Sequence, residues 1–239
     1  MVANVVIRRV ADAAQLAIGA AADVGAALDD ALTVRGRALL AVSGGRSPLG
    51  LYEALRAQAR AWPRVTVVQA DERCVPPGHP DSNAALVTQH LLRDAAAAAR
   101  WIPFFDAWPV APDPLDAVER LAATACVRLA PLAWPIDVAV LGMGEDGHTA
   151  SLFAGGEGLA NALRADGPVA WVRPVQAPHA RLTLTLPVLL AARRLVLLVT
   201  GPAKQRVFEA ARRAPRDDLP VSFLLHQSAH PVHAWLSDG

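Results

Sequence analysis

Apolar residues along the chain fall into two alternating patterns. Short, nearly continuous runs of Val, Leu, Ile and Ala occupy residues 5–9, 38–42, 65–70, 136–141, 169–172, 182–186, 195–199 and 232–236. Each has strand length, and several read as strands buried on both faces. Longer Ala- and Leu-rich segments lie between them. Residues 12–33 place Leu16, Ala20, Val24, Leu28 and Leu32 four apart, on one face of a helix. Residues 114–129 carry Leu115, Val118, Leu121 and Ala125 at spacings of three and four, a second amphipathic helix. Strand alternating with helix predicts an α/β protein with a mainly parallel sheet flanked by helices. Pro-rich stretches at 76–80, 109–114 and 215–220 read as loops. The Ala run at 95–99 reads as a helix end or a solvated helix.

Composition narrows the class. The 239 residues, 53% hydrophobic and 19% charged, suit one domain (1–239) with a sizeable core rather than a disordered chain. The net charge of +1 gives no general basic field for nucleic acid, although a local basic pocket stays compatible with it. Two cysteines, Cys74 and Cys126, exclude a disulfide scaffold and a four-thiolate zinc site and read as buried small hydrophobes. No run approaches the roughly 18 apolar residues of a membrane span. The first residues read as a strand, not a signal peptide, so a cytoplasmic protein is expected.

The chemistry-bearing residues concentrate where strands end. Ser43-Gly44-Gly45-Arg46-Ser47-Pro48 follows the run at 38–42, and Asp71-Glu72-Arg73 follows that at 65–70. Gly142-Met143-Gly144-Glu145-Asp146-Gly147-His148-Thr149 follows 136–141, and Thr200-Gly201-Pro202-Ala203-Lys204 follows 195–199. If these strands are parallel, all four segments share the carboxyl edge of the sheet, where α/β proteins bind ligands. Gly44 and Gly45 allow a tight backbone approach to an anion, and Pro48 suits a helix start; an ordinary strand-to-helix turn would read the same. Lys204 in the first turn of a helix opposes the helix dipole, which an anionic partner would explain and which a solvated lysine would not require. Asp71-Glu72-Arg73 is either an ion-paired loop or an arginine fork for phosphate with a carboxylate beside it.

Residues 142–147 match G-x-G-x-x-G, yet a dinucleotide site needs an acid about 20 residues on, at the end of the next strand. Asp166 lies instead in a turn before a strand. His148 beside Asp146 reads better as a general base. His226, His230 and His233 imitate metal-ligand spacing, but Pro231 breaks the helix such a site would need. No metal and no nucleotide is expected.

These blocks, together with Asp81-Ser82-Asn83, the stretch 141–153 (LGMGEDGHTASLF) and Arg181-Leu182-Thr183-Leu184-Thr185-Leu186-Pro187, resemble the 6-phosphogluconolactonase family in order and across most of the chain. The resemblance implies a Rossmann-like fold related to glucosamine-6-phosphate deaminases. It implies cofactor-free hydrolysis of 6-phosphoglucono-1,5-lactone, a small phosphorylated sugar lactone, in the oxidative pentose phosphate pathway. It marks His148 as the base that activates water, Arg73 and Lys204 as the phosphate clamp, and Asp71 and Asp146 as polar support. Ser43, Gly44, Gly45, Arg46, Ser47 and Arg181 line the same pocket. Arg46 stands where the family more often has Ser, and Ala154 where it has Pro. The deaminase relatives carry a Glu five residues after the motif histidine; here that residue is Phe153. A sugar-phosphate sensor of this kind would be joined to a helix-turn-helix, which is not expected here. Partners beyond the substrate are not expected, and a monomer is.

Overall fold

The computed structural model describes residues 5–76, 78–107 and 115–239. The expected loop at 109–114 and Pro77 of the loop at 76–80 lie outside them. Among the described residues the strands are β1 (Val5–Val10), β2 (Ala38–Val42), β3 (Val65–Gln69), β4 (Asp71–Arg73), β5 (Arg100–Ile102), β6 (Val138–Gly142), β7 (Val169–Val172), β8 (Arg181–Leu184), β9 (Leu195–Thr200) and β10 (Val232–Ser237). The α-helices among the same residues are α1 (Ala13–Arg35), α2 (Leu49–Arg56), α3 (Asn83–His90), α4 (Leu115–Leu129), α5 (Leu159–Ala162), α6 (Leu186–Leu190), α7 (Pro202–Ala211) and α8 (Val221–Leu225). The Ala run forms a 3₁₀ turn over Asp94–Ala98.

Seven strands build an all-parallel sheet in the order β1-β10-β9-β6-β2-β3-β5. Its strands are continuous apolar runs because both faces are covered. Side chains alternate across a strand, and in β2 this sends Leu39 and Ala41 into one core layer and Ala38, Leu40 and Val42 into the other. β6 divides in the same way, with Ala139 and Leu141 on one side and Val138 and Val140 on the other. The second layer receives the stripe of α1, where Leu16, Ala20, Val24 and Leu28 are buried. That helix starts at Asp12, whose side chain accepts from the Gln15 amide at 2.8 Å, the usual use of an aspartate N-cap.

Three strands leave the main sheet. β4, β8 and β7 form a small antiparallel sheet. The expected strand at 182–186 is shifted to Arg181–Leu184, because Leu186 and Pro187 already open α6. Asp71-Glu72-Arg73, which the sequence presents as a polar segment, is a strand of this second sheet. Cys74 and Cys126 are only partly buried against the core, and Cys126 donates its thiol to the Val169 carbonyl at 3.2 Å.

Candidate active site

β9, β6, β2 and β3 are consecutive neighbours in the parallel sheet, so the polar segments that follow them meet at one edge. There they line one polar cleft of about 160 Å³ that opens to solvent. Ser43, Gly44, Gly45, Arg46 and Ser47 line it from β2, Asp71 and Arg73 from β4, and His148 from the loop after β6. Arg181 of β8 and Lys204 of α7 complete the expected set.

The loop after β2 is held from below. The Ser43 hydroxyl donates to the Val140 carbonyl at 3.0 Å, and Tyr52 of α2 donates to the Ser43 carbonyl at 2.5 Å. Ser47 faces the end of β9, 3.1 Å from the Thr200 hydroxyl and 3.5 Å from the Lys204 ammonium. Burial pushes the Lys204 ammonium below its ordinary range, Glu145 pulls it back up, and Arg46 adds to the depression. An anion here would relieve both costs, since it restores a counter-charge to a desolvated cation.

The second pair of cations is set by the ladder. Arg73 and Arg181 are directly opposite each other across β4 and β8. Like charges in that relation destabilise a sheet. The Nε atoms of both guanidiniums are buried and without a hydrogen-bond partner among the described residues. Burial pushes the Arg181 guanidinium below its ordinary range, Asp71 opposes this, and Arg73 reinforces it. Four cations and a single carboxylate therefore line one cleft of a chain whose net charge is only +1. Such a lining suits an anion.

His148 lines the same cleft. Residues 143–149 form a tight loop closed by the Met143–Thr149 bridge and by the Gly144 amide donating to the His148 carbonyl at 2.9 Å. No helix follows directly, so the G-x-G-x-x-G match lacks the helix start that would hold a pyrophosphate. The His148 Nδ1 is 2.6 Å from Asp146 Oδ1, which also accepts the His148 backbone amide at 3.2 Å. Burial pushes the Asp146 carboxyl up, but the hydrogen bond and charge of His148 outweigh it and hold it below the usual range. An ionised Asp146 fixes the Nδ1–H tautomer and leaves Nε2 free to accept a proton. A Cβ on Gly144 would lie 2.2 Å from Asp146 Oδ1 and 2.3 Å from His148 Nδ1, so only glycine leaves room for the pair. Phe153 stacks on the imidazole with centroids 4.0 Å apart, and the Arg181 guanidinium lies 4.9 Å from the centre of the Phe153 ring.

The family model for glucosamine-6-phosphate isomerases/6-phosphogluconolactonase matches residues 11–235. The chain belongs to this family. It is 47% identical over 204 residues to a 6-phosphogluconolactonase of Pseudomonas aeruginosa, covering 83% of this chain and 82% of that one. It is 40% identical over 223 residues to a 6-phosphogluconolactonase of Rhizobium meliloti, covering 92% and 93%. Among solved structures it is similar to a 6-phosphogluconolactonase from Shewanella baltica, with a TM-score of 0.92, 32% identity and 99% of each chain covered. The Rossmann-like fold of the family is thus the fold of this chain.

Within that family fold, all the residues picked from the sequence converge on the cleft except Asp146, which stands behind His148 and touches it. Asp71 is 5% exposed; its carboxylate accepts from Ser151 at 2.7 Å rather than meeting the imidazole. Two of the histidines with metal-like spacing make other contacts instead. His233 is 2.6 Å from Asp23, and His226 Nε2 is 3.0 Å from the Ala211 carbonyl. Among the described residues, no helix is long and apolar enough to cross a membrane. Asn83, Gly142, Met143, Gly144 and Ala150 also line the cleft; the sequence reading quotes them within its blocks but gives them no site role. Asn83 is the consequential one, and the sequence marks it only as the end of the Asp81-Ser82-Asn83 block.

Proposed function

We propose that the chain hydrolyses 6-phosphoglucono-1,5-lactone to 6-phosphogluconate, acting as a cytoplasmic monomer without metal or nucleotide. The observation that carries this reading is one cleft holding an Asp146-oriented imidazole together with Arg73, Arg181 and Lys204. The phosphate binds among the cations, and the lactone carbonyl comes to lie beside His148. Water attacks that carbonyl, and Nε2 takes its proton as the new C–O bond forms. The tetrahedral centre then collapses by breaking the bond to the ring oxygen, which receives the proton back from the imidazolium. Asp146 stabilises the imidazolium between these two transfers.

The rival reading within the family is a sugar-phosphate deaminase with an acid paired to the histidine. Phe153 occupies that place and covers the ring with an apolar face, which favours hydrolysis. The test is loss of freshly generated lactone, corrected for spontaneous hydrolysis. Acceleration that persists with chelator present is expected. Deamination of glucosamine 6-phosphate without lactonase activity would overturn the reading.

A further inference from the structure

Glu72 is the middle residue of β4 and is 2% exposed. Its neighbours Asp71 and Arg73 line the cleft, and it does not. Five donors converge on its carboxylate. Oε1 accepts from the Arg73 amide at 2.7 Å and the Asn83 amide at 2.8 Å. Oε2 accepts from Gln69 Nε2 at 2.7 Å, the Ser82 hydroxyl at 3.1 Å and the Ala84 amide at 2.7 Å. Two of these donors are the first amides of α3, so the start of that helix is docked on β4. Anions favour helix N-termini for this reason.

The docked helix delivers one side chain to the cleft. Asn83, 1% exposed, donates Nδ2 to the Asp71 carbonyl at 2.9 Å and accepts from Arg73 Nη1 at 2.6 Å through Oδ1. The two contacts fix which end of the amide is which. The same Arg73 nitrogen also donates to the Asp81 carbonyl at 2.8 Å. The same Oδ1 end of Asn83 also meets the loop after β2. A Cβ on Gly44 would stand 1.7 Å from Asn83 Oδ1, so the loop can close onto Asn83 only where it has no side chain.

We propose that Asn83, gripped through its backbone by Glu72, is the positioning residue that aims Arg73 at the phosphate. Both polar atoms of its side chain are engaged within the protein, so Asn83 acts through the guanidinium. This rests on the reading of Arg73 as a phosphate ligand. It also accounts for a glycine at position 44: the loop, the helix start and the arginine share one small volume.

The test is a double-mutant cycle on Asn83→Ala and Arg73→Ala, read as the dissociation constant of 6-phosphogluconate by calorimetry, with KM and kcat alongside and thermal melts as a folding control. Asn83→Ala is expected to weaken binding about five- to tenfold and to raise KM in parallel, while kcat moves less than about twofold. In the Arg73→Ala background the same change should cost less than about twofold, because contacting residues are non-additive. Wild-type affinity for folded Asn83→Ala, or an effect that multiplies in full with Arg73→Ala, overturns the proposal. Arg73→Ala binding as tightly as wild type would remove the phosphate reading itself and the proposal with it. Should Asn83→Ala fail to fold, Asn83→Asp decides. Its carboxylate would neutralise Arg73 towards an anion, so affinity should fall more than about tenfold, and unchanged affinity overturns the proposal.

Discussion

At the scale of single residues, the proposed function divides the cleft's side chains between binding and chemistry. His148 lines the cleft, and its Nδ1 is held by a carboxylate at 2.6 Å. His148→Ala should lower kcat by roughly 10²–10⁴-fold, the usual worth of general-base help, and change KM little. A kcat within a few-fold of wild type, after subtracting spontaneous hydrolysis, would place the base elsewhere. Lys204 stands on the opposite side of the ledger of roles. Half-buried beside Ser47, with its charge disfavoured by burial, it gains most from an anion. Lys204→Ala should raise KM on the order of tenfold, since a charge-assisted contact contributes about 1.5–3 kcal/mol, and leave the chemical step nearly intact. Equal turnover of phosphorylated and unphosphorylated gluconolactone by the wild type would contradict this division. These residues were legible in the sequence because Arg, Lys, His and paired acids are out of place directly after buried strands. Asn83 was legible only as part of the Asp81-Ser82-Asn83 block, without a role. An asparagine beside a serine N-cap is ordinary helix-start chemistry, and only its contact with Gly44 and Arg73 gives it a role.

At the scale of elements, the small antiparallel sheet does what the main sheet cannot. Parallel strands deliver loops to one edge; β4 and β8 deliver two arginines in register. β4 was not readable as a strand, because three consecutive charged residues carry no apolar alternation and their partner lies more than a hundred positions away. The pairing has a thermodynamic consequence. An unliganded ladder with opposed guanidiniums is destabilised by its own charges, so a bound anion should stabilise the fold beyond local contacts. At about 100 times its dissociation constant, a ligand specific for the folded state adds about 2.7 kcal/mol. For a domain of this size that is a rise in Tm on the order of 5–10 °C. 6-Phosphogluconate should produce it, and in Arg73→Ala the rise at the same concentration should be largely lost. An identical rise in the variant would mean that the phosphate rests elsewhere.

At the scale of the whole molecule, the parallel class of the sheet followed from continuous apolar runs, whereas the strand order did not. Nothing in a strand's own residues says that β10 inserts between β1 and β9. That insertion assembles a charged cluster against α1, none of whose members lines the cleft. Asp23 of α1 accepts from His233 at 2.6 Å, Arg194 at 2.7 Å and the Trp235 indole at 3.2 Å, with Arg8 at 3.5 Å. Burial pushes the Asp23 carboxyl up, but the hydrogen bonds from His233, Trp235 and Arg194 and the charge of His233 outweigh it, bringing it from 3.8 down to about 2. A carboxyl whose folded value is depressed stabilises the fold above its unfolded value and loses that contribution as pH falls through the folded one. Here the window runs from about pH 4 down to about pH 2, and the contribution is about 2 kcal/mol. Asp23→Asn should therefore be less stable than wild type to urea at pH 7 by about that amount, with kcat/KM for the lactone unchanged because the cluster does not touch the cleft. The difference should shrink steadily once the pH drops below 4 and nearly vanish at about pH 2. Other carboxylates titrate over the same range in both proteins and cancel in the comparison. A stability gap that stays constant across this window would mean that Asp23 acts by packing rather than by its charge.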